Sequence, residues 1–230
     1  DQLQLTLQLP KAAASSSDST GLNDLLPLLL EQVAQANIIN SRIRLVRQQQ
    51  LLAEFHIDQL YAENRADQHK LFSRISVAQQ ALVVPLLLQA ELQGAARQDT
   101  LQGHIYLATE PHAGKQPGAL LPTPLTANAQ SIHGSLAFQL WLERQPGQWQ
   151  SALLQLGLNR LGWQQAEQQH SLELQGGEIV WQRHADDWQL YSQGLQLHSN
   201  HLPWRSWQLQ LKKQAEQYTG QMDPLLLDEL

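Results

Sequence analysis

A period of two, set at the first residues and repeated along most of the chain, restricts the fold more than any other feature. Residues 1–9 read DQLQLTLQL, with Leu3, Leu5, Leu7 and Leu9 at one parity and Gln2, Gln4, Thr6 and Gln8 at the other. Successive side chains of a strand point to opposite faces, so this is a strand with one apolar and one polar side. Strand-like runs recur at 41–46, 51–62, 69–77, 83–93 and 100–107, and again at 131–142, 148–160, 170–175, 178–183, 188–191, 194–198 and 207–212. The clearest alternations are Ile132, Gly134, Leu136, Phe138, Leu140, Leu142 and then Leu154, Leu156, Leu158.

Three segments depart from this rhythm. Residues 10–20 (PKAAASSSDST) predict a loop of small and polar residues. Residues 22–36 place Leu22, Leu25, Leu26, Leu29, Leu30 and Val33 at helical spacing and predict one short helix, capped from within 17–20. Residues 109–128 contain Pro111, Gly114, Pro117, Gly118, Pro122 and Pro124 and predict a second loop. The reading divides the chain into 1–108, the loop 109–128, and a Trp-rich continuation 129–230, all within one structural unit.

Composition follows the alternation. Leu occurs 45 times and Gln 37 times in 230 residues, so the polar parity is largely filled by a neutral side chain. With 42% apolar residues the chain can bury a core, which excludes a disordered polyelectrolyte. Acids outnumber bases 21 to 15 without a basic stripe, which argues against a nucleic-acid binder. There is no Cys, hence no disulfide or thiol chemistry, and no run reaches the about 18 apolar residues of a membrane span. Both ends fall within strand-like or Leu-rich pattern and read as cuts in a longer polypeptide.

About a dozen amphipathic strands and one short helix pose a coverage problem. An apolar sheet face must be covered by a second sheet, by barrel closure, or by something other than protein. The alternation leaves all three open.

Chemical motifs are lacking. There is no Gly-rich phosphate loop, nucleophile elbow, CxxC or HExxH, and no residue is expected to act as a catalyst or to hold a metal or cofactor. His198 and His201 have the spacing of two metal ligands but no acidic or Cys partner nearby, and read as turn residues. His184, Asp186 and Asp187 read as a turn between strands. Arg42, Arg44 and Arg47 read as a solvated strand face. All seven Trp lie between Trp141 and Trp207, most simply as sheet packing, with sugar or lipid contact as alternatives.

Residues 170–213, HSLELQGGEIVWQRHADDWQLYSQGLQLHSNHLPWRSWQLQLKK, carry a strand pair ending in a polar turn. Trp188-x-Leu190, an alternating strand at 194–198 and a tight turn into Pro203-Trp204 follow. With LLPLLLEQVAQANIINSRIRLV upstream and MDPLLLDEL at the end, this pattern resembles the AsmA-like proteins of Gram-negative envelopes, and within them the very long YhdP type. One departure is the turn before Pro-Trp, which in that family usually carries Gly and here is Asn200-His201. Asn tolerates the left-handed conformation better than most residues.

The resemblance implies a mainly β fold, a long twisted antiparallel sheet forming an open apolar groove, with the short helix near its start. It implies a periplasmic part of an inner-membrane-anchored protein, the anchor lying outside this stretch. It also implies phospholipid acyl chains as partners, envelope proteins as further partners of unknown identity, and no nucleic acid. Acyl chains gain about 0.8 kcal/mol per CH₂ removed from water, so a Leu-lined groove retains them without a charged pocket. The residues expected on such a face are Leu136, Phe138, Leu140, Leu154, Leu156, Leu158, Leu172, Leu174, Ile179, Trp181, Leu195, Leu197, Leu209 and Leu211. The rival readings are a scaffolding β-module of the envelope and a carbohydrate-binding β-domain.

Overall fold

The computed structural model of the chain describes residues 4–9, 33–47, 50–79, 82–95, 100–109, 130–165, 168–200, 202–203 and 208–223. Among these the regular structure is all β, in mainly antiparallel sheets not closed into a barrel. Most of the segment expected to be helical lies outside the described residues. Its end, Gln35 and Ala36, is strand instead, because both residues pair with Glu63 and Ala62 across the ladder.

The chain forms two compact units, Asp1–Leu107 with Glu143–Gln148, and Ala108–Leu142 with Trp149–Leu230. The first unit is built on β1 (Gln4–Leu9), β2 (Gln35–Arg47), β3 (Gln50–Arg65), β4 (Gln68–Gln79), β5 (Leu82–Gln93) and β6 (Gln102–Thr109), adjacent in that order. β1 runs parallel to β2, whereas β2 through β5 are antiparallel neighbours. Cross-strand partners share a face. One face therefore carries the rows Ala36–Ala62–Leu71–Ala90, Ile38–Leu60–Ser73–Leu88 and Ser41–Ile57–Ile75–Leu86. The other carries Gln35–Glu63–Lys70–Glu91 and Asn37–Tyr61–Phe72–Gln89. His69 closes the apolar end of this ladder. It is 4% exposed, with its ring nitrogens 2.9 Å from Asn64 Oδ1 and 2.8 Å from Gly94 O.

The second unit has two strand orders. One is β8 (Phe138–Gln145), β9 (Gln148–Leu156), β12 (Glu178–His184), β13 (Asp187–Gln193), β16 (Leu209–Gln214) and β17 (Gln217–Met222). The other is β15 (Leu202–Pro203), β14 (Gln196–Ser199), β11 (Gln168–Gln175), β10 (Leu158–Gln165) and β7 (Gln130–Ser135). The chain passes from one sheet to the other at four places. These are Leu136-Ala137, Gly157, Gly176-Gly177 and Gly194-Leu195. The runs expected at 131–142 and 148–160 are each split there.

Close backbone approach explains the small residues at this line. Gly157 N donates to Ala137 O at 2.8 Å, and Leu156 N donates to Gly177 O at 2.9 Å. Gly177 has φ 96°, and a Cβ on it would stand 2.8 Å from Leu195 N. Only glycine meets both conditions. At the tight turn further on, Asn200 holds a left-handed φ of 48°. Its side-chain oxygen accepts from Ser171 N at 2.9 Å, and its own N–H donates to Ser171 O at 2.8 Å.

Candidate functional site: the apolar rows

In the second unit the register sorts Leu and Gln onto opposite faces. The rows Ala152–Trp181–Leu190–Leu211–Gly220 and Leu154–Ile179–Ser192 lie on one side of β9, β12, β13, β16 and β17. Leu209 extends the second row, its N–H donating to Ser192 Oγ at 2.8 Å, and it faces Met222 on β17. The reverse side carries Gln155–Glu178–Gln193, Gln182–Gln189–Lys212 and Gln210–Gln221, with Leu153, Val180 and Tyr191 among them.

The polar rows hold themselves together by amide hydrogen bonds. Gln155 Nε2 and Gln193 Nε2 both donate to the Glu178 carboxylate, at 2.8 and 2.7 Å, and Gln189 Nε2 donates to Gln182 Oε1 at 3.0 Å. The Gln193 and then the Gln155 hydrogen bond hold the Glu178 carboxyl below its ordinary value of 4.5. In the first unit Glu54 is likewise lowered, first by the Arg44 hydrogen bond at 2.7 Å, with Arg42 and His56 adding to it against the opposing effect of burial. Arg42 and Arg44 thus lie on a polar face, ion-paired to one carboxylate.

Among the described residues the large side chains of the apolar rows are only partly buried. Among the described residues the buried hydrophobic side chains are Ile57, Ala62, Ala90, Leu92, Leu101, Ala108 and Leu195, while Ser73 and Ser199 are the largest fully buried side chains. Ile38, Leu60, Leu71, Leu86 and Leu88 in the first unit are only half-buried, as are Leu154, Ile179, Trp181, Leu190 and Leu209 in the second. Leu211 is 37% and Met222 57% exposed. A closed sandwich places such leucines in a core with interior packing density. Here they present area to whatever lies above the sheet.

The fourteen residues expected on an apolar face do not form one surface. Leu154, Ile179, Trp181, Leu209 and Leu211 meet in the rows just given, and Leu156 continues the Leu154 parity to the end of β9. Leu172 pairs with Leu161 and Leu174 with Leu197 in the other sheet. Leu158, read from sequence as a continuation of Leu154 and Leu156, pairs instead with Gln175, on the side of Arg160 and Glu173. The reason is the change of parity at the glycine line. Apolar positions are even on β9 and odd on β10, odd on β12 and even on β11. Leu195, 3% exposed, seals the same line against Gly177. Phe138 and Leu140 share one parity of β8, and Leu136 sits in the link before it. The sequence reading missed Leu161 and Leu190, both visible as apolar positions in alternating runs. It also missed the first unit's face, for which the alternation around Ile57 and Leu71 was the available signal.

The remaining candidates have structural roles. Asp187 pairs with His184 across the Ala185-Asp186 turn and accepts from Ala215 N at 2.8 Å. His198 pairs with Pro203, and His201 lies outside the described residues. No group of three metal-ligating side chains occurs among the described residues. Trp163 stacks on His170 at 5.5 Å, and Trp188 meets Tyr218 edge-on at 6.3 Å.

The family model described as YhdP protein matches residues 1–230, the length of the chain. The chain belongs to the YhdP family. No curated protein and no solved structure matches it. YhdP membership places it among the AsmA-like proteins, a family related to lipid transport, and suggests an envelope protein. Among the described residues no helix is long and apolar enough to cross a membrane. A YhdP-family sheet with half-exposed leucine rows on one side and glutamine rows on the other is chemically suited to hold hydrocarbon without reacting with it.

Proposed function

We propose that the chain is a periplasmic segment of an inner-membrane-anchored conduit whose apolar rows conduct phospholipids between the inner and outer membranes, sustaining the outer-membrane barrier. It is not an enzyme and uses no cofactor. The observation that carries the reading is the half-exposed state of Leu154, Ile179, Trp181, Leu190 and Leu211 on one continuous face, set against a glutamine reverse face. Acyl chains laid on these rows remove CH₂ groups from water at about 0.8 kcal/mol each, summed over many weak contacts rather than one tight pocket. Such a surface retains lipid and lets it slide.

A photo-crosslinker at Leu154 or Leu190, compared with one at Gln155 or Gln189, tests the reading in cells. Capture of phospholipid from the Leu positions and not from the Gln positions is expected. Equal capture from both sets, or none from either, overturns it and leaves a scaffolding role.

A further inference from the structure

The apolar face of the second unit ends in a row of different chemistry. Arg183 pairs with Trp188, Trp188 with Lys213, and Lys213 with Tyr218, so the four side chains cross β12, β13, β16 and β17 on the leucine-bearing face. The row is two residues beyond Trp181–Leu190–Leu211 and four beyond Ile179–Leu209–Met222, or about 13 Å from the latter at strand rise. It contains two cations and no carboxylate. Asp186 and Glu216 occupy the turns beyond it, and Asp187 belongs to the opposite face with His184. Trp188 and Tyr218 close edge-on at 6.3 Å from either side of β16, the strand that carries Lys213. Arg183 Nε donates to Ala185 O at 2.8 Å, which ties the guanidinium to the turn at the end of the row.

Amphipathic rings prefer the boundary between hydrocarbon and water, and guanidinium and ammonium groups pair with phosphate through charge-assisted hydrogen bonds. We infer that the Arg183–Trp188–Lys213–Tyr218 row is a headgroup rim that binds the phosphodiester of a phospholipid whose acyl chains run down the adjacent leucine rows. The inference rests on the lipid-carrying reading and adds the orientation of the lipid and the residues that recognise its phosphate.

The test is equilibrium binding of the whole chain, followed by tryptophan fluorescence. The ligands are a short-chain phosphatidylglycerol below its micellar concentration and the diacylglycerol with the same acyl chains. The wild-type chain binds the phosphatidylglycerol about tenfold more tightly, and the preference shrinks with added NaCl. R183Q/K213Q binds both lipids equally, at the wild-type diacylglycerol affinity. R183K/K213R, which keeps both charges, retains the preference, and millimolar inorganic phosphate does not displace the phospholipid. A preference that survives in R183Q/K213Q, or is lost equally in R183K/K213R, overturns the rim. So does displacement by inorganic phosphate, which marks a general anion site. If the wild-type chain binds both lipids equally, the rim falls and lipid carriage stands. If it binds neither, lipid carriage falls and the rim with it.

Discussion

Gly177 and Ala185 show how single backbone angles set the strand path. Gly177 combines φ 96° with a backbone neighbour, Leu195 N, 2.8 Å from where a Cβ would be. Gly177→Ala should therefore cost about 2 kcal/mol or more, read as a lower denaturation midpoint. Ala185 is the reverse case. It holds φ 54° in a two-residue turn, as Ala66 does at 52° and Ala215 at 51°. Left-handed alanine costs about 1–2 kcal/mol, partly offset by the greater entropy of unfolded glycine. Ala185→Gly should raise the midpoint by up to about 1 kcal/mol of stability, and an unchanged or lower midpoint would show the turn to be relaxed with alanine. The Ala185-Asp186 turn was legible from its aspartates, but the left-handed alanine was not, because alanine is a poor left-handed residue and the flanking ladders impose it.

At the scale of strands and rows, faces matter more than individual contacts. Leu211, 37% exposed, should tolerate Leu211→Gln at a cost of about 1 kcal/mol or less, while losing lipid capture at that position. A thermal midpoint and a crosslinking yield measured on the same variant separate the two effects. The glutamine rows make a complementary prediction. Gln182 and Gln189 are directly paired and hydrogen-bonded, so Q182E/Q189E sets like charges opposite each other. The variant should melt lower than wild type at low ionic strength and recover much of the difference in salt. The existence of most strands was legible from alternation. β17 was not, because QYTGQM is exposed along its whole length and has no buried parity to reveal it. The breaks at Leu136-Ala137 and Gly157 were also missed, since Leu154-x-Leu156-x-Leu158 continues the local period through a point where the chain changes sheets.

For the whole molecule, the carboxylates decide behaviour on acidification. Glu54 and Glu63 are held below 4.5 by hydrogen bonds from Arg44 and Tyr61, and Glu178 by those from Gln193 and Gln155. A depressed carboxyl binds its proton more weakly in the folded chain than in the unfolded one. Its contribution is complete above 4.5 and is lost as pH falls below that value. The thermal midpoint should drop on acidification through this range, and Glu178→Gln should drop less steeply than wild type. A wild-type midpoint flat from neutral pH to below 4 would refute the assignment.

Sequence alone determined the β character of the chain, the Leu and Gln assignment to opposite parities, and the YhdP resemblance. The first two follow from patterns within a few residues, where the two-residue strand period acts directly, and the resemblance from longer motifs such as residues 170–213. Tertiary structure alone decided which leucines share a surface, where parity reverses, and that Leu195 is sealed while Leu211 lies open. Those properties depend on the register between strands up to about thirty residues apart and on backbone approaches at glycine, which no local period encodes. They also place Arg183 and Lys213, thirty positions apart in sequence, in one row at the end of an apolar face.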